Sequence, residues 1–80
     1  MIVTVKYFGV LTDVTQISEE QFSFLMTPIS VNQFMQELKR KYPRIIESNF
    51  TIAINQSISR GETLLNNNDI IALLPPFAGG

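Results

Sequence analysis

The sequence predicts an α+β domain in which one mixed, five-stranded β-sheet is covered on one face by a single main helix. Three observations carry that prediction. Residues 2–8 and 50–55 alternate apolar and polar side chains with the period of two that a half-buried strand requires. Residues 31–42 repeat apolar side chains with the period of an amphipathic helix. These and the weaker segments come in the order strand, strand, helix, strand, strand, strand, which packs most simply as a helix on a sheet. Eighty residues allow one domain with a modest core. No repeat, low-complexity segment or linker divides the chain, so residues 1–74 are read as that domain and residues 75–80 as an extended tail.

In the first strand Val3, Val5 and Tyr7 share one face, and Thr4, Lys6 and Phe8 share the other. Gly9 breaks it, and residues 10–15 allow a helical turn before a second strand at 21–26, where Phe22 and Phe24 face one side. The two strands read as a broad hairpin. Thr27-Pro28 closes the second strand, and Ser30 followed by Gln33 matches a capping box at a helix start. Val31, Phe34, Met35, Leu38 and Tyr42 then form one apolar stripe, and Pro43 ends the helix. Phe50, Ile52 and Ile54 mark the third strand, Asn55-Gln56 a turn, and residues 57–60 a short fourth strand. In the loop 61–69, Asn66-Asn67-Asn68 suits the left-handed conformations of tight turns. The last strand, 70–74, places Ile71 and Leu73 on the core side and Ile70, Ala72 and Leu74 opposite.

Composition narrows the chemistry. With 45% hydrophobic residues, 16% charged residues and a net charge of -1, the chain reads as a globular protein and not as a nucleic-acid binder. The absence of an 18-residue apolar run and of a basic, then apolar, leader predicts a cytoplasmic protein without a membrane partner. Cysteine and histidine are both absent. Disulfides, a catalytic thiol and the commonest general base and zinc ligand are thereby excluded, so no catalytic side chain is expected from this chain. Lys39-Arg40-Lys41 falls in the last helical turn, where cations complement the helix dipole. Glu19-Glu20 and the scattered aspartates show no metal-ligand spacing and are read as solubilising.

The distinctive chemistry is therefore sought at the end, Pro75-Pro76-Phe77-Ala78-Gly79-Gly80. The prolines donate no ladder hydrogen bond, so they end pairing and direct the tail outward. Six extended residues reach about 20 Å. Two glycines without Cβ make a thin tail that can enter a channel closed to any side chain. The plain alternative is a frayed terminus.

The chain resembles the ubiquitin-like sulfur carriers of β-grasp fold, and among them the small subunit of molybdopterin synthase. The resemblance rests on Val5-Lys6-Tyr7-Phe8, Ala53-Ile54-Asn55-Gln56, Asn68-Asp69-Ile70 and, most specifically, Leu74-Pro75-Pro76-Phe77-Ala78-Gly79-Gly80. Asn68 stands where the family commonly has glycine. The resemblance implies that an activating enzyme uses ATP to adenylate the Gly80 carboxylate, and that sulfur supplied through a cysteine desulfurase replaces AMP to give a thiocarboxylate. The tail, residues 75–79, then enters the large synthase subunit in a heterotetramer, and sulfur passes to cyclic pyranopterin monophosphate in molybdenum cofactor biosynthesis. No cofactor is expected on this chain itself.

Phe8 and Leu74 are large apolar side chains on the outward sides of their strands, and Ile58 can join them. These three positions match the hydrophobic patch through which the family docks on its partners. Isolated exposed apolar residues are also common. The alternatives are a protein modifier similar to ubiquitin, a sulfur carrier for thiamine or tRNA thiolation, and a binding module with an inert tail.

Overall fold

The computed structural model describes residues 1–25, 27–59 and 61–75. Its strands are β1 (Ile2–Tyr7), β2 (Glu19–Ser23), β3 (Ile29–Ser30), β4 (Thr51–Ile54), β5 (Ser57–Ile58), β6 (Leu64–Leu65) and β7 (Ile70–Leu74). Two helices, α1 (Val10–Thr15) and α2 (Val31–Lys41), and a 3-10 segment, Pro43–Glu47, complete the elements. The main sheet has the order β2-β1-β7-β4-β5, with β1 and β7 parallel and the other pairs antiparallel. This is the mixed five-stranded sheet under one main helix that the sequence predicts.

Side-chain alternation sorts the sheet into two faces. Val3, Val5 and Tyr7 of β1 and Ile71 and Leu73 of β7 are buried with Val31, Phe34 and Leu38 of α2 in one core. Leu11 of α1 and Ile45 of the 3-10 segment close its ends. The helix begins as expected: Ser30 Oγ accepts from Gln33 N, and Gln33 Oε1 accepts from Ser30 N. Such a cap stabilises by about 1 kcal/mol. Two further first-turn donors, Val31 N and Asn32 N, reach the carbonyls of Thr63 and Gly61. Those bonds fold the 61–69 loop across the helix start.

That crossing explains the main departure from the predicted elements. Leu64–Leu65, expected in a loop, pairs with Ile29–Ser30 as a second, two-stranded sheet. The pairing buries Ile29 and Leu65 against the end of the core. β2 is also shifted toward the N-terminus, to Glu19–Ser23 in place of 21–26, because it follows its β1 partner from Lys6 to Ile2. Phe24 lies just beyond the strand yet still packs on the core. The fourth strand, expected over 57–60, stops at Ile58, and Arg60 lies outside the described residues. Turns follow their residue types: Asn55 and Gln56 both take positive φ between β4 and β5, and Asn68 has φ 71°.

Candidate functional site

The face of the main sheet turned away from α2 is half polar and half apolar. On the β2 side it carries Glu19, Gln21 and Ser23, the cross-strand partners of Lys6, Thr4 and Ile2. Across β7, β4 and β5 it changes character. Ala72 pairs with Ala53, and Ala53 pairs with Ile58, so these three side chains stand in a row across the sheet. Ile70 and Leu74 lie on either side of Ala72 on the same face. Phe8 is one residue past the last parallel pair, Tyr7 with Leu73, and therefore stands beside Leu74.

Small residues in the middle and large ones around them make a hollow. Ala53 and Ala72 form its floor, and Phe8, Ile58, Ile70 and Leu74 frame it, enclosing about 550 Å³. Lys6, Asn55 and Gln56 complete the lining, so Lys6 is its one charged side chain. Phe8 is 43% exposed and Ile58 69% exposed. Removing such surface from water is favourable, and an apolar hollow with a polar margin has the make-up of a protein contact.

The structure thus brings Phe8, Ile58 and Leu74 to one place. Sequence reading missed Ala53 as part of it, because only the β4 to β7 register reveals the shared floor. Ile70 and Ala72 carried a signal, the alternation along β7. The hollow lies where β7 delivers the chain to Pro75. The remaining predicted tail residues, Pro76, Phe77, Ala78, Gly79 and Gly80, lie outside the described residues.

Asn55 holds the opposite end of the hollow. The Asn55 side chain donates to Asp69 Oδ1 at 2.9 Å and accepts from Ile70 N at 2.9 Å. Asp69 is itself buried and accepts from Asn66 N at 2.7 Å. Asn67 Oδ1 accepts from Ile2 N at 2.8 Å. The Asn66 to Asn68 run therefore serves as a turn locked to the sheet.

Electrostatics concentrate on the helix-covered side, where the reading of Glu20 as a solubilising residue is overturned. Opposite Val5 at the sheet edge, its carboxylate accepts from Tyr7 Oη at 2.7 Å, Tyr42 Oη at 2.5 Å and Lys41 Nζ. Desolvation pushes the Glu20 pKa up, but the hydrogen bonds from Lys41, Tyr42 and Tyr7 outweigh it and hold the group below its ordinary value. Both phenols move the other way. Burial, then the bond to Glu20, raises Tyr7 far above the usual phenol range and Tyr42 to about 12. Lys41 is correspondingly tied down while Lys39 and Arg40 remain on the solvent side of the last turn. The network fastens strand β2 to the end of α2.

Among the described residues, no group of three or more metal-binding side chains converges, and no helix is long and apolar enough to cross a membrane. The arrangement offers a binding surface beside a chain exit.

Comparison with known proteins agrees with this geometry. The chain is 29% identical over 80 residues to the molybdopterin synthase sulfur carrier subunit of Mycobacterium tuberculosis, covering 98% of this chain and 96% of that protein. Its fold superposes on a molybdopterin converting factor subunit 1 from Pyrococcus furiosus with a TM-score of 0.88 at 22% identity, over 95% of this chain and 98% of that one. It also matches a chain in the complex of subunits 1 and 2 of the molybdopterin-converting factor from Helicobacter pylori, with a TM-score of 0.70 at 23% identity and full coverage of both. The fold is the ubiquitin-like β-grasp. The ThiS family model matches residues 5–80, and the chain belongs to the ThiS family.

Proposed function

We propose that this chain is the sulfur carrier subunit of a molybdopterin synthase, with Gly80 as its reacting residue. The observation that carries the reading is the end-to-end match to the Mycobacterium tuberculosis sulfur carrier subunit. The hollow framed by Phe8, Ile58 and Leu74, beside the exit of β7, supports it.

A carboxylate is a poor acyl donor because it is an unactivated anion at neutral pH. An activating enzyme that joins the Gly80 carboxylate to AMP from ATP, releasing pyrophosphate, makes the carbonyl carbon electrophilic. A sulfur nucleophile then displaces AMP and leaves a thiocarboxylate. The tail carries that sulfur into the large synthase subunit, where the sulfur bonds to cyclic pyranopterin monophosphate and water cleaves the carbonyl carbon–sulfur bond, supplying the oxygen that returns the terminus to a carboxylate. The subunit 1 and 2 complex from Helicobacter pylori supports a large-subunit partner docking on this chain. The catalytic side chains belong to the partners, and this chain supplies docking area, reach and the terminus.

Intact-mass measurement after incubation with the cognate activating enzyme, ATP and a sulfur source tests the reading. The expected product is heavier by the difference between one sulfur and one oxygen atom. An unchanged mass would sink the sulfur-carrier reading, and a much heavier conjugate would assign the chain to protein modification instead.

A further inference from the structure

We propose that Gly9 is a positioning residue for the tail, acting as a seat for Pro75 that sets where the chain stands as it leaves the sheet. The inference rests on the sulfur-carrier reading for its functional consequence, but its structural part stands alone. Parallel pairing of β1 with β7 ends at Tyr7 and Leu73. Two residues further on, Pro75 has no N–H with which to continue the ladder. Packing takes over from hydrogen bonding there. A Cβ placed on Gly9 would lie 2.9 Å from Pro75 Cγ, 3.6 Å from its Cβ and 3.9 Å from its Cδ.

That first distance is too short for two carbon atoms, and a proline ring cannot swing aside as a long side chain can. Gly9 also has φ 58° and ψ -134°, a conformation that disfavours residues with a Cβ. Both features select glycine at the same position. The residue is held from the other side, since its carbonyl accepts from Thr12 N at 3.1 Å in the first turn of α1. The seat is therefore part of the folded body, and the neighbouring Phe8 and Leu74 belong to the proposed docking hollow. The close approach of the Pro75 ring to Gly9 sets the start of the tail beside that hollow.

Misdirecting a tethered reacting group lowers turnover more than affinity, because docking survives while productive geometry becomes rarer. With the cognate activating enzyme, ATP–pyrophosphate exchange driven by Gly9→Ala should show a kcat reduced about tenfold or more with KM for the carrier nearly unchanged. Pro75→Ala should share the defect, and the double variant should lose no more than the worse single one, since the overlap that Gly9→Ala creates is with the ring that Pro75→Ala removes. Wild-type kcat in both single variants, or losses that multiply in the double, would overturn the proposal. Proton–proton contacts by NMR supply the independent arm. Pro75 ring protons should contact the Gly9 α-protons in the wild type, a result that holds whether or not Gly9→Ala folds; their absence overturns the seat. If the wild type is not adenylated at all, the sulfur-carrier reading fails and the NMR contacts alone decide the seat.

Discussion

Glu20 receives three side-chain hydrogen bonds at the sheet edge, from Tyr7, Tyr42 and Lys41, and that convergence makes its charge part of the fold. Sequence alone pointed to a solvated acid because its partners lie 13, 22 and 21 residues away, beyond any local pattern. By contrast, Asn68 was readable in place, since a single residue with φ 71° needs only local tolerance of the left-handed region. A folded-state pKa below the unfolded value contributes stability that is present above the ordinary carboxylate range and is lost as pH falls through the folded pKa. The phenols reverse the sign. Raised folded-state values contribute stability that is fully present below pH 10 and is lost as pH climbs through them, so alkali should also unfold the protein. Thermal melts of Glu20→Gln should show a loss of about 2 kcal/mol at neutral pH, with Tm lower by roughly 10 °C. The gap to the wild type should narrow on acidification below about pH 4. A gap independent of pH would remove the charge from this account.

At the scale of elements, β7 is the hinge between core and surface. Its alternation sends Ile71 and Leu73 inward at 0% exposure and leaves Ile70, Ala72 and Leu74 to frame the outer hollow. Both faces of that strand were legible, because alternation is a local property of five consecutive residues. The β3–β6 pairing was not. Two-residue strands are too short to show a period, and what pairs Ile29 with Leu65 is the demand of the α2 first turn for acceptors from the loop. The same limit hid Ala53, whose place in the hollow depends on which residue of β7 it faces. The docking reading is tested by replacing Phe8 with Asp or Leu74 with Glu. Association with the large subunit should weaken by about 2 kcal/mol, or roughly 30-fold, while Tm changes little. If Tm collapses while binding of the remaining folded protein is normal, these side chains serve the core and the interface lies elsewhere.

Across the whole molecule, the proposed function assigns folding and reaction to different parts of the chain. Among the described residues the buried hydrophobic set runs from Val3 to Leu73, so the core closes before Pro75. A domain of this size has a stability of only about 5–10 kcal/mol, and core changes would consume much of it. Changes at the terminus should not. Removing Gly80 is therefore expected to leave the thermal midpoint within about 2 °C of the wild type, since the described core is complete by Leu73. The same protein should fail to gain sulfur and should not support molybdopterin formation with the large subunit. Gly79→Val adds the steric test, because a branched Cβ both restricts the backbone and widens a tail that the proposed function sends into a partner's channel. It too should fold normally, and it should fail in adenylation, in transfer, or in both. Measuring the two half-reactions separately locates the narrow point: a defect confined to adenylation places it in the activating enzyme, and one confined to transfer places it in the synthase. Wild-type rates for Gly79→Val in both would show that the glycine pair is not selected by width, and full synthase activity without Gly80 would remove the terminus from the mechanism.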